Sequence, residues 1–205
     1  MAERRARILE TARGLIAAGG WRSLQMRSLA RASGVSVPTL YNLFGSKEAL
    51  LGAAIADHVQ RVLETTPGPG IEGLLGLLER AGEEVERMPR YTRSVLRSFL
   101  APEDPRGVRH RVALELGRAL VGAVRALQRE RQLVDWVYPR FVADRLTANA
   151  ITAVMAWASG LRDAEGMRRD LVAGSCLVLL GVARGRTRSH CETRLRQLAS
   201  APATV

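Results

Sequence analysis

Apolar residues recur along this chain at three- and four-residue spacing, the period of a helix that buries one face. Ile8, Leu9, Ala12, Leu15 and Ile16 share one side of a first helix that stops at Gly19-Gly20, and its other side is basic. Two short helices are predicted next, over about 26–33 and 37–44, with Gly34 between them. Ser36 has the side-chain oxygen to cap the second, and Pro38 fits its first turn, where an amide needs no intrahelical acceptor. Gly45 ends that helix. Ser46 then caps a longer one to about 63, with Leu50, Leu51, Ala54, Ile55, Val59 and Val62 as its stripe. The run TTPGPG at 65–70 cannot continue a helix and marks a boundary. Beyond it, helical patterning covers 71–87, 91–100, a stretch after Pro102 and Pro105 to about 130, then 139–160 and 164–184. No useful run alternates with the period of two that a half-buried strand needs, and aromatic residues make up only 4%. The prediction is an all-α chain of about nine helices, divided in order into 1–46, 47–63 and 71–205.

Composition narrows the classes. With 205 residues, 47% of them apolar, the chain can bury one sizeable core or two modest ones without disulfide or metal staples. Its longest apolar runs fall short of the roughly 20 residues a membrane span requires, and the N-terminus is charged at once. A cytoplasmic setting follows as the expectation. Cys176 and Cys191 form no closely spaced ligand pattern and are expected to remain thiols. Lys plus Arg number 31 against 20 Asp plus Glu, a net charge of +11, which favours encounters with phosphate polyanions. Distribution says more than total. Residues 1–47 carry eight basic side chains (Arg4, Arg5, Arg7, Arg13, Arg22, Arg27, Arg31 and Lys47) against Glu3 and Glu10. A second basic cluster (Arg184, Arg186, Arg188, Arg194 and Arg196) reads first as a solvated, partly frayed tail and second as a nucleic-acid contact.

The chemistry concentrates in MRSLARASGVSVPTLYNLFGSKEALL, residues 26–51. Ala30 is small where two helices of a helix-turn-helix must approach, and Gly34 supplies the turn, where a positive φ is commonly needed. Bulk at either place should splay the pair. Leu29, Val35, Leu40 and Phe44 complete the core that makes the second helix a rigid rod. On the outside, Thr39 can meet a thymine methyl or a phosphate, and Asn42 can offer donor and acceptor together to adenine. Tyr41 can anchor a phosphate, although it has a core reading as well. Lys47 and the amides opening the next helix form a second anchor. Arg27 can reach a guanine edge or the backbone, and the Val37-Pro38 edge completes the reading surface.

These residues carry a family likeness. SLARASGVSVPTLYNLFGSKEALL resembles the N-terminal domain of the TetR family of transcriptional regulators, in its small residue, GVS, TLY, F and SKE-x-L, over about residues 4–63. The resemblance implies that Arg27, Val37, Pro38, Thr39, Tyr41, Asn42 and Lys47 meet a double-stranded operator. One departure is Gln25, where the family usually has Thr or Ser to cap the helix; Gln caps poorly, leaving that start frayed or capped by Ser23 in a shifted register.

The resemblance also implies that the remaining chain binds an effector and dimerises through its last two long helices. Candidate interface residues are Val154, Trp157, Leu171, Cys176 and Leu179, although the same stripes would serve an intrachain core. Candidate pocket residues for a small, mainly apolar effector are Met88, Tyr91, Leu96, Phe99, His110, Leu116 and Trp136. The expected protein is a homodimeric repressor released from an inverted-repeat operator by that ligand; the alternative is a helix-turn-helix regulator or adaptor with no effector. His58, His110 and His190 are scattered, so no metal site or other cofactor is expected. No nucleophile stands beside a base and orienting carboxylate, and no phosphate-cradling loop occurs, so no enzyme activity and no catalytic residue are expected.

Overall fold

The computed structural model describes residues 2–64, 68–99 and 108–200, with side chains throughout those ranges except at 2, 59, 61–64, 97–99 and 108–112. The fold is all-α. Ten helices run in order: α1 (Ala2–Gly19), α2 (Met26–Ser33), α3 (Val37–Phe44), α4 (Lys47–Glu64), α5 (Gly70–Arg87), α6 (Pro89–Phe99), α7 (Val108–Arg129), α8 (Pro139–Ala158), α9 (Ala164–Leu180) and α10 (Gly185–Ser200). Extended pairing among the described residues is confined to a bridge between Leu133 and Ala183.

The chain forms two compact units, and all three boundaries between them fall within helices, in α4, at the last residue of α5 and in α7. The first unit comprises Met1–Arg61 and Arg87–Val112; the second comprises Val62–Glu86 and Ala113–Val205. In the first unit, α6 packs on α1, so a segment remote in sequence joins the three N-terminal helices and most of α4. Ile8, Leu9, Ala12 and Ile16 of α1 meet a core completed by Leu29, Leu40, Leu50, Ala54 and Val95. The backbone amide of Trp21 donates to Ser94 Oγ at 3.2 Å, fixing α6 to the turn after α1.

Arg13 is the exception within this apolar interior. Sequence places it on the basic outer side of α1, yet its side chain is only 1% exposed. Its guanidinium donates to Asp57 Oδ2 of α4 at 2.6 Å and also pairs with Glu10. Burial works against the charge, but the hydrogen bonds to Glu10 and Asp57 outweigh it and hold the guanidinium above its usual range. Arg13 is therefore subtracted from the basic surface of residues 1–47. Tyr91 of α6 lies beside this cluster, edge-on to His58 with ring centroids 5.6 Å apart. Its buried hydroxyl has no hydrogen-bond partner among the described residues, and burial raises its pKa.

The second unit is built on α8 and α9, which pack along each other and are joined by a short link. Gly160 takes φ +83° in that link, and Asp163 caps α9 by accepting from the Gly166 amide at 2.6 Å. The two helices come close where Gly174 faces Asn149: a Cβ at Gly174 would collide with the Asn149 carboxamide, whose nitrogen donates to Ser175 Oγ and to backbone oxygens of α9. Leu74 and Leu78 of α5, with Leu120, Val124 and Leu127 of α7, close the core over Leu146, Leu171 and Cys176.

The basic C-terminal segment is not a frayed tail; it is the tenth helix, packed on α9. Thr187 and Cys191 are buried, and Leu195 and Leu198 pack partly against the same core. Gln132 caps its start by accepting from the Thr187 amide at 3.1 Å, and Arg194 pairs with Glu79 of α5 at 2.7 Å. The preceding helix ends at Leu180, not near 184, because residues 182–184 turn to exchange backbone hydrogen bonds with 132–134.

Replacing Arg13 with alanine empties the buried space its side chain fills and removes its ion pairs to Glu10 and Asp57, and should cost about 3 kcal/mol in urea unfolding. Tyr91→Phe removes a hydroxyl that has no partner among the described residues and should change stability by no more than about 1 kcal/mol, without loss of cooperativity.

Candidate nucleic-acid interface

The reading surface is assembled by two caps and one left-handed turn. Gln25 is the residue before α2; its backbone is extended and its side chain makes no capping bond. The helix still begins at Met26, with the Leu29 amide donating to the Gln25 carbonyl at 3.0 Å. Ser23 does not cap α2 in a shifted register. Its hydroxyl turns back to the Gly19 and Gly20 carbonyls, closing the end of α1. Arg27 thus stands exposed in the first turn of α2.

At the other end of α2, Gly34 adopts φ +65°, and the Val35 amide returns to the Ala30 carbonyl at 3.0 Å. A Cβ at Gly34 would meet nothing within 4 Å, so bulk there would not splay the helices; the constraint is the backbone conformation. Ala30, 4% exposed, is where space is short. Ser36 then caps α3 by accepting from the Thr39 amide at 3.2 Å, and its hydroxyl also bonds the Thr39 hydroxyl at 2.8 Å.

Leu40 and Phe44 anchor α3 inward, while Pro38, Tyr41 and Asn42 share its outer side at three- and four-residue spacing. Tyr41 is 48% exposed, which removes its core reading. Val37 and Thr39 flank this side half-buried, as does Val35 in the turn. Arg5 of α1 lies over the Phe44 ring at 5.4 Å, a cation–π contact that the apolar pattern did not reveal.

Lys47 departs from its expected pose. Its ammonium lies 4.6 Å from the Trp21 ring centroid and donates to the Arg22 carbonyl at 3.3 Å, clipping the start of α4 to the turn after α1. One such bond leaves two N–H donors. The start of α4 is itself capped by Ser46, which accepts from the Ala49 amide at 3.0 Å.

The effector candidates are divided between the two units. Tyr91 and Leu96 are packed inside the first unit, and Met88 is half-buried there. The side chains of Phe99 and His110 lie outside the described residues. Leu116 is half-buried in the second unit, and Trp136, in the turn between α7 and α8, is 73% exposed and lines neither of the two clefts described next. Within that unit two clefts occur. One, about 440 Å³, runs between α5 and α7 along Gly70, Gly73, Leu74, Leu77, Ala119 and Ala123; the other, about 470 Å³, is lined by Glu72, Glu130, Gln132, Arg186, Thr187 and His190.

The interface candidates need correction as well. Trp157, Leu171, Cys176 and Leu179 are spent on the protomer's own core, and Val154 is half-buried. The side chains facing outward from α8 and α9 are instead Phe141, 62% exposed, and Leu177, 63% exposed. The residues 176–180 are apolar on every side of α9, a signal in the sequence that two faces of that helix need cover. Among the described residues, no group of three or more His, Cys, Asp or Glu could hold a metal ion, and no helix is long and apolar enough to cross a membrane.

Comparison with known proteins agrees with this geometry. The family described as bacterial regulatory proteins of the tetR family matches residues 8–54, the segment from α1 into α4. The HTH-type transcriptional repressor KstR of Rhodococcus jostii is 33% identical over 102 residues, 48% of this chain and 48% of that protein. The chain therefore spans about half the length of the curated relatives it matches. TylP of Streptomyces fradiae, a tetR regulator of known structure, shares the fold with a TM-score of 0.71 and 17% identity, over 97% of this chain and 96% of that one. A TetR transcriptional regulator from a Rhodococcus species gives 0.68 and 18%, over 89% and 99%. The likeness to the tetR family thus lies in residues 8–54, and the solved structures show that the chain shares the all-helical fold of those regulators.

Gly34→Ala forces a side chain into the left-handed region and should cost about 1–2 kcal/mol, while leaving DNA affinity intact below the melting transition. Ala30→Leu should cost a similar amount through overpacking, roughly 1–3 kcal/mol, and also weaken DNA binding, because it changes the angle between α2 and α3. Chemical denaturation and duplex titration on both variants separate the two effects.

Proposed function

We propose that the protein is a homodimeric repressor that reads an inverted-repeat operator through α3 and leaves it when a small, mainly apolar molecule binds the second unit. The observation that carries this reading is the division of α3 into a locked inner side, Leu40 and Phe44, and an open outer side, Pro38, Tyr41 and Asn42. A rigid helix of that form enters a major groove and presents fixed side chains to base edges. Asn42 acts in base choice and Tyr41 in holding a phosphate. Arg27 reaches the DNA from the first turn of α2, while Val37 and Thr39 border the contact. Lys47 shares its ammonium between the Arg22 carbonyl and a phosphate.

Two copies pair through the outer side of α8 and α9, with Phe141 and Leu177 at the contact, in place of the buried residues that periodicity alone selects. Two-fold symmetry then sets two reading helices about 34–36 Å apart along the duplex, one per half-site. The sense of regulation follows KstR, whose name describes a repressor. The apolar cleft between α5 and α7 has a volume within the range of small-ligand sites and is the favoured place for the effector. The boundary between the units falls inside α4, so that helix passes directly from one to the other. A ligand acts only by favouring one position of α4 over another, and release requires that the operator favour the other.

Selection of bound duplexes from a random pool should recover an inverted repeat. Asn42→Ala should cost about 1–3 kcal/mol of discrimination at one base pair per half-site. Tyr41→Phe should weaken all duplexes alike by about 1 kcal/mol. Recovery of a single half-site, or a base preference altered by Tyr41→Phe alone, counts against this assignment. Leu177→Glu should convert the dimer to monomer in sedimentation and abolish operator binding at concentrations where the parent is saturated; a dimeric variant rejects the α8–α9 pairing.

A further inference from the structure

The second unit holds a charged group whose donors are left unmatched. Arg80 of α5 is half-buried, and its Nε and Nη2 are closed off from solvent with no hydrogen-bond partner among the described residues. Donors on a charged group are costly to bury without a compensating bond, so their place needs a physical account. Carboxylates of α5 and α7 are engaged elsewhere: Glu79 with Arg194 at 2.7 Å, Glu86 with Arg168, and Glu115 with Arg118 at 3.2 Å. The two unmatched nitrogens also form a particular pair. Nε and Nη2 carry N–H bonds side by side along one edge of the guanidinium, the fork that a carboxylate meets with both of its oxygens.

Helical register puts Arg80 on the cleft side of α5. Gly73 and Leu77 line the apolar cleft between α5 and α7, and Arg80 follows them at seven and three residues, on the same side of the helix and one turn further on. Gly82, on the other side, faces Leu171 and Arg168 of α9. The opposite wall of the cleft is Ala119, Gly122, Ala123 and Ala126, whose small side chains leave the volume of about 440 Å³ open. From Gly70 to Arg80 the helix rises about 15 Å, room for a narrow apolar body with a polar head at one end.

We propose that this cleft takes an amphipathic monocarboxylic acid, its apolar body along Gly73, Leu77, Ala119 and Ala123 and its carboxylate held by Nε and Nη2 of Arg80. The assignment rests on the reading of the cleft as the effector site and adds the charge and shape of the ligand. An ionised acid loses water on entering an apolar cleft, a cost that is offset only where a guanidinium waits to pair with it. A neutral molecule of the same shape leaves Arg80 unmatched and gains contact area alone.

The test is calorimetric titration of the full chain, without DNA, with decanoate and 2-naphthoate, each beside its neutral counterpart, decanol or 2-naphthalenemethanol. At least one acid should saturate a single site per protomer and bind roughly tenfold or more tightly than its alcohol, the gain expected of a charge-assisted pair. Arg80→Met should weaken that acid by a similar factor while leaving the alcohol as tight or tighter, a reversal that a purely structural arginine would not produce. Arg80→Lys keeps the charge without the fork and should recover only part of the acid's affinity. The proposal is overturned if neither acid binds, if the alcohols match the acids, if Arg80→Met keeps the acid's affinity, or if decyl sulfate, with its tetrahedral head, binds more tightly than decanoate. The parent's acid-to-alcohol ratio decides the matter even if Arg80→Met fails to fold. Release of the selected duplex is measured separately. An acid that binds through Arg80 and leaves the duplex bound supports this assignment and counts against the repressor reading; release by the alcohols with no binding of the acids does the reverse.

Discussion

Arg13 has to keep its charge in a place from which water is almost excluded, and it can do so only while Asp57 and Glu10 remain beside it. That requirement sets the position of α4 on α1, since Asp57 belongs to one and Arg13 to the other. An apolar contact could slide by a turn at modest cost, whereas a buried guanidinium and its carboxylate tolerate little displacement. The ring of Tyr91 against His58 brings α6 to the same junction. The first unit is therefore a five-helix assembly in which α6 and α4 are as necessary as α1, α2 and α3.

The outward side of α3 follows from this frame by subtraction. Once Leu29, Ala30, Leu40 and Phe44 are committed inward, the turn at Gly34 leaves α3 one orientation, and Tyr41 and Asn42 have nowhere to point but out. Lys47 shows how tertiary packing gives partners within the protein to a residue that sequence assigns to a ligand. The ring of Trp21, itself buried, and the Arg22 carbonyl lie within its reach, so the ammonium gains a cation–π contact and a hydrogen bond inside the unit.

The second unit works on a different principle, close approach of helices. Gly174 admits the Asn149 carboxamide, whose bonds to the α9 backbone fix the register of α8 on α9. With that register set, the apolar residues of α9 divide: Leu171, Cys176 and Leu179 turn to the protomer's core, and Leu177 faces away from it. The same packing makes room for α10, whose buried side, Thr187 and Cys191 ahead of Leu195 and Leu198, is too polar at its start to read as a stripe.

Period, punctuation and cap chemistry, all local along the chain, settled the helical class, the span of the first nine helices to within a few residues, and the outward residues of α3. They sufficed there because the helix-turn-helix is short, and each of its turns carries its own glycine or serine. Tertiary structure alone decided that Arg13 lies inside, that α6 belongs with α1, that α10 is a docked helix, and which face of α9 is left open. Each of these depends on what lies opposite a side chain, and a linear pattern records the spacing of residues on one helix without recording the surface that helix meets.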